Sequence, residues 1–208
     1  MKKSMVLVFA VLLSAVTLSA SGGRAILNLY GTALNVAENK FTGQEGGNKI
    51  YFEVKAAYAV SGNLYLWASH GQFPIRDSWQ SWERKGSFDP DALVERKLGK
   101  RVIAGGGGIF IGYFEPGQFA VRAEAGICHI ANDINAAVSS IATGQFIRAV
   151  EGKQRGIGAR GGLAVTYGLY RSVFAEASAG YMYASDKIDG VRSNLGGFHL
   201  ALGLGIQL

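Results

Sequence analysis

Residues 198–208 read FHLALGLGIQL. Phe198, Leu200, Leu202, Leu204, Ile206 and Leu208 alternate with His199, Ala201, Gly203, Gly205 and Gln207. A period of two sends successive side chains to opposite faces of a strand. One face is wholly apolar, and the other is small or polar.

The same period recurs upstream, near 24–37, 48–60, 63–70, 100–114, 118–131, 155–169 and 172–185, which makes eight strands. Each is about ten residues or a little longer, enough to cross a bilayer core at a steep tilt. The connections alternate in length. Long segments (about 38–47, 71–98 and 132–154) and a medium one (186–193) are separated by the short stretches VSGN, EPGQ and LYRS. An up-and-down barrel with all its tight turns at one end produces that order.

The faces carry charge on the wrong side for a soluble protein. Ile50, Phe52, Val54, Ala56 and Tyr58 oppose Glu53 and Lys55. Phe119, Val121, Ala123, Ala125 and Ile127 oppose Arg122, Glu124, Gly126 and Cys128. Ile157, Leu163, Val165 and Tyr167 oppose Arg160 and Thr166, and Val173 through Tyr183 oppose Glu176, Ser178 and Gly180. Lipid outside and a polar lumen inside stabilise that pattern. Glu53, Lys55, Arg122, Glu124, Arg160 and Glu176 are then expected to form a lumen charge network, since buried charges persist when paired. Tyr and Phe near the strand ends supply the two aromatic girdles that bilayer interfaces favour.

The compartment comes from the start of the chain. Lys2 and Lys3 precede an apolar run, Met5 to Leu13, and small residues follow through LSASGG. That is the layout of a secretory signal peptide, expected over residues 1–22, with a barrel domain over 23–208. Ala20 and Gly22 fit its −3 and −1 positions. Without Lys2 and Lys3 the 21 basic residues become 19, against 15 acidic ones. So mild an excess, on a secreted chain, argues against nucleic acid as a partner. The single cysteine, Cys128, excludes an internal disulfide framework.

On this pattern the chain resembles the small outer-membrane β-barrels of Gram-negative bacteria, of the OmpX, OmpW and OmpA membrane-domain type. The resemblance covers residues 23–208 and implies an all-β, eight-stranded antiparallel transmembrane barrel in the outer membrane, with both termini periplasmic. It also implies outer-membrane lipid, lipopolysaccharide and the barrel-assembly machinery as partners. That family usually ends in Phe or Trp, whereas Leu208 stands here.

Motifs for chemistry are weak. RVIAGGGGIFIGY, residues 101–113, holds four consecutive glycines but lacks the Lys-Ser/Thr and helix of a phosphate loop. Gly106 and Gly108 are expected to face a crowded lumen, and Gly105 and Gly107 the outside, easing curvature. GIGARG, 156–161, matches G-x-G-x-x-G but runs into an alternating strand rather than a helix, so no cofactor is expected. Outer-membrane lipid A deacylases carry His-x-Ser-Asn with a serine nucleophile, and HIAN (His129, Ile130, Ala131, Asn132) has alanine there. Ser69, His70, Asp77, Ser78 and Ser81 could supply a nucleophile, base and acid only through chance loop geometry. His70, His129 and His199 lack metal-ligand spacing. No catalytic, cofactor or metal residue is therefore assigned.

The long segment 71–98 carries Trp79 and Trp82, and Asp89-Pro90 is a helix-start signal for a short outer helix. Arg96, Lys97, Lys100 and Arg101 are expected to form a rim that meets lipopolysaccharide phosphates. The leading reading is a non-enzymatic barrel with a plugged lumen, whose loops 71–98 and 132–154 bind a host or cell-surface ligand. The alternative is a narrow channel or binding barrel for small apolar molecules, using a gap near Gly106, Gly108, Gly203 and Gly205. A lipid A-modifying barrel enzyme is third.

Overall fold

The computed structural model describes residues 24–36, 47–61, 63–80, 92–112, 116–140, 142–188 and 191–208. The expected signal peptide, 1–22, lies outside them. Among the described residues nine strands form: β1 (Ala25–Val36), β2 (Gly47–Ser61), β3 (Leu64–Gln80), β4 (Ala92–Gly112), β5 (Phe119–Ser140), β6 (Phe146–Tyr170), β7 (Val173–Ile188), β8 (Val191–Asn194) and β9 (Gly197–Gln207). Each of the first seven pairs antiparallel with its successor. β9 pairs with β7 on one side and β1 on the other, from Ile26↔Gln207 to Val36↔Gly197, which closes the sheet. Eight strands make an antiparallel barrel, and β8 folds back on the far end of β7. Closure leaves no unpaired edge around the barrel wall, as a backbone in hydrocarbon requires.

One end carries the short links: two residues between β2 and β3, the segment 113–118, and Arg171-Ser172, where Arg171 adopts φ 45°. The period-two reading of the faces holds along the wall. Phe52, Ile127, Ile157 and Leu202 are 71–74% exposed, whereas Arg122, Glu53, Lys55 and Glu176 are at most 3% exposed. In water this arrangement would cost free energy on both faces, and lipid reverses the sign of the outer one.

Two expectations need correction at the other end. The segments 71–98 and 132–154 are mostly strand. β3 continues to Gln80, β4 begins at Ala92, and only 141–145 separate β5 from β6. Pairing carries on past the barrel, from Gln72↔Arg101 to Gln80↔Leu93 and from Asn132↔Gln154 to Ser139↔Phe146. Once two strands are zipped, each further pair satisfies backbone groups without another loop closure. The same ladder removes the expected helix after Asp89-Pro90. That dipeptide lies outside the described residues, and Ala92 onward is strand.

The four glycines sit in β4 as expected by face. A Cβ on Gly106 would collide with the Ala125 carbonyl, and one on Gly108 with the Tyr65 ring. Outward Gly105 and Gly107 have milder neighbours, with the nearest atoms at 3.2 and 3.8 Å. The constraint therefore lies on the inner face of β4.

Candidate functional site in the lumen and at the rim

The lumen has two layers. In the half nearer the short turns, all six expected charges point inward and meet. Arg122 pairs with Glu176 through Nη2 and lies 3.9 Å from Glu124 through Nη1. Lys55 pairs with Glu124, and Arg160 with Glu53. Neutral side chains complete each carboxylate. The Tyr30 hydroxyl donates to Glu176 Oε1 at 2.5 Å, and Asn28 Nδ2 donates to Glu176 Oε2 at 3.1 Å. Tyr65 donates to Glu124 at 2.8 Å, and the Thr32 and Tyr51 hydroxyls lie at donor distance, 3.4 Å, from Glu53. Arg160 also donates to Ser69 at 3.1 Å. The Arg122 guanidinium lies over Phe110 at 5.5 Å and Tyr65 at 5.7 Å, and Arg160 over Trp67 at 5.6 Å. Such stacking covers the weakly hydrated faces of the guanidinium groups while their edges pair.

β4 and β9 supply glycine instead of charge. Room left by Gly108, Gly203 and Gly205 is taken by the rings of Tyr65, Tyr30 and Phe174. A Cβ on Gly106 would meet the β5 backbone itself. The gap that the channel reading required there is filled.

Above the charges the lumen turns apolar. Leu34, Val102, Ile130, Met182, Ala184 and Leu195 are buried in one cluster. Alternation in the sequence predicts a polar lumen. This apolar layer is hidden from that pattern, because an inward apolar residue looks the same, by period, as an outward one on a strand of shifted register.

The expected basic rim comes apart. Lys100 is fully buried inside the barrel and donates to the Leu195 carbonyl oxygen. The physical reason is parity: Lys100, Val102 and Ala104 share one face of β4, and that face is the inner one. Arg101 stays outside, half-exposed, paired with Asp133 at 3.0 Å. Arg96 and Lys97 lie farther along β4. Register adds two basic residues that the sequence reading passed over. Arg155 and Lys153 of β6 pair with Ala131 and Asp133 of β5, which in turn pair with Arg101 and Gly99 of β4. Both β6 side chains are exposed.

The catalytic candidates are not brought together. Ser69 faces the lumen and neighbouring His70 the outside. Asp77 and Ser78 lie farther along β3, and Ser81 is outside the described residues. His129 and Asn132 stand on opposite faces of β5. Gly156 and Gly158 of GIGARG are inward positions in the middle of β6, with strand on both sides. Among the described residues, no three His, Cys, Asp or Glu side chains gather as a metal site would require.

No protein-family model and no curated protein matches this sequence. Solved structures do. Ail, the attachment invasion locus protein of Yersinia pestis, superposes with a TM-score of 0.54 at 15% identity, over 89% of this chain and 99% of that one. The same protein in complex with the heparin analogue sucrose octasulfate gives 0.51 at 16% identity, with the same coverage. A major outer membrane protein from Thermus thermophilus gives 0.50 at 10% identity, over 88% and 99%. With its closed wall, apolar exterior and paired interior charges, the chain has the fold of the small eight-stranded outer-membrane β-barrels.

Proposed function

We propose that this chain is a non-enzymatic outer-membrane barrel, plugged by its own side chains, that serves envelope structure or surface binding through its projecting hairpins. One observation carries the reading. β4, β5 and β6 have 21, 22 and 25 residues, against 12 and 11 in β1 and β9. About ten residues suffice to cross the bilayer core. The rest of these strands form a sheet that rises on one side of the barrel, a rigid platform that can bind without the entropic cost of ordering a loop. The leading partners are host or cell-surface ligands at this platform, together with lipopolysaccharide at its base.

The base has the right charge. Arg101, Lys153 and Arg155 stand just beyond the apolar belt. Each basic group near an anionic surface contributes about 1 kcal/mol. This reading also has the 1–22 leader removed, the barrel-assembly machinery inserting the chain, and the termini and short turns on the periplasmic side. Ail, named for attachment, was crystallised with a sulfated sugar, so sucrose octasulfate is a natural first probe.

The test compares cells with and without the protein. Deleting 132–154 should weaken adhesion or polyanion binding while lipid A keeps its acyl pattern. An altered lipid A would replace this reading with the enzyme, and labels reaching Gln118 but not Thr143 on intact cells would invert the topology.

A further inference from the structure

Lys100 of β4, Asn132 of β5 and Gln154 of β6 stand in one row as cross-strand partners. All three point into the barrel and are at most 1% exposed. Their hydrogen bonding is incomplete among the described residues. The Lys100 ammonium carries three donors and meets one acceptor, the Leu195 carbonyl. Asn132 Nδ2 donates to Gln154 Oε1 at 3.1 Å, which leaves Asn132 Oδ1 and Gln154 Nε2 with no partner. Turning both amides end for end exchanges the roles and again leaves one spare acceptor and one spare donor. The carboxylates of the charge belt pair with Arg122, Lys55 and Arg160. A buried cation without a carboxylate, beside a half-used amide pair, is a costly arrangement for a plug to keep.

Leu195 covers this row from the turn between β8 and β9. Its N–H donates to the Ala184 carbonyl at 2.7 Å, and Asn194 Oδ1 accepts from Gly196 at 3.0 Å and from Ala184 at 3.4 Å. Its side chain packs beside Gly156 in the apolar layer. It presents an oxygen to Lys100 and an isobutyl group to the core, the two halves of a small amphiphilic acid.

We propose that the Lys100–Asn132–Gln154 row is a binding site for a small hydroxycarboxylate with a short apolar tail, entered when Leu195 swings out. The carboxylate accepts from Lys100 Nζ and the spare amide N–H. The hydroxyl donates to the spare amide oxygen, and the tail takes the place of the Leu195 side chain against Val102 and Ile130. The site goes beyond the surface-binding reading and stands whether or not that reading holds.

The full chain, refolded in micelles, is titrated with 3-hydroxyhexanoate while the side-chain amide resonances of Asn132 and Gln154 are followed by NMR. Saturable shifts of both are expected. Hexanoate should bind about tenfold more weakly, the effect of one hydrogen bond. Lys100→Met should lose at least tenfold, and Leu195→Ala should bind several-fold tighter because the competing side chain is gone. Folding of each variant is checked by the gel-mobility shift on heating, and Leu195→Ala reads the site independently of Lys100→Met. No saturable shift in both the unaltered chain and Leu195→Ala, or Lys100→Met titrating like the unaltered chain, overturns the proposal. Inorganic phosphate matching 3-hydroxyhexanoate overturns it too, since the apolar tail then contributes nothing.

Discussion

Arg122 is fully enclosed and faces Glu176 and Glu124 from near the start of β5. Nothing around it can follow a change of sign, because the neighbouring space is filled by Tyr30, Tyr65 and Phe110. Arg122→Glu should therefore destabilise the barrel by about 3 to 5 kcal/mol, the usual effect of breaking a buried pair. Urea unfolding in lipid vesicles measures this, and a loss below about 1 kcal/mol would show that water reaches the belt. The glycine run gives a paired test at the same scale. Gly106→Ala places a methyl group against the Ala125 carbonyl, backbone that cannot give way, and should cost about 1 to 3 kcal/mol. Gly107→Ala, whose methyl would meet its nearest neighbour at an ordinary contact distance of 3.8 Å, should stay within about 0.5 kcal/mol. Equal effects of the two would mean that crowding on the inner face is not what selects glycine there.

The β5–β6 hairpin is the most informative element. Its pairing runs unbroken from Phe119↔Tyr167 to Ala137↔Ala149, beyond any length the bilayer needs. Amides of 133–138 and 148–153 that bond across this ladder should exchange with solvent far more slowly than those of 142–145. Hydrogen exchange on the refolded chain reads this directly, and uniformly fast exchange across 132–154 would return the segment to a loop. The hairpin was only half legible in sequence. Ile134, Ala136 and Val138 do alternate with Asn135 and Ala137, but the apolar contrast fades once no lipid faces the strand. Lys100 failed to be placed for a related reason. Reading β4 as starting there made it a rim residue, while its parity with Val102 already pointed inward.

At the scale of the whole molecule the question is whether anything passes through. The charge belt links β1, β2, β3, β5, β6 and β7 across the lumen, and rings occupy the room beside Gly108, Gly203 and Gly205. An eight-stranded barrel leaves space for little beyond such side chains. The purified protein in planar bilayers should show no large steady conductance at neutral pH. Sustained single-channel steps of porin size would contradict the plug, whereas brief small events are compatible with movement of the Leu195 cover alone.

Alternation by itself determined that the chain is a barrel, how many strands cross, which side chains meet lipid and which six charges turn inward. That much is local: each follows from the period of a strand and from the free energy of exposing apolar groups to hydrocarbon. Only the closed sheet decided which carboxylate meets which cation, since Glu53 finds Arg160 across 107 positions of chain through a register no period encodes. It also decided that Leu195 caps the lumen and that Lys100, Asn132 and Gln154 line up beneath it. Three strands must be zipped in one register before those residues become neighbours, and register is set by closure of the whole barrel, not by any strand alone.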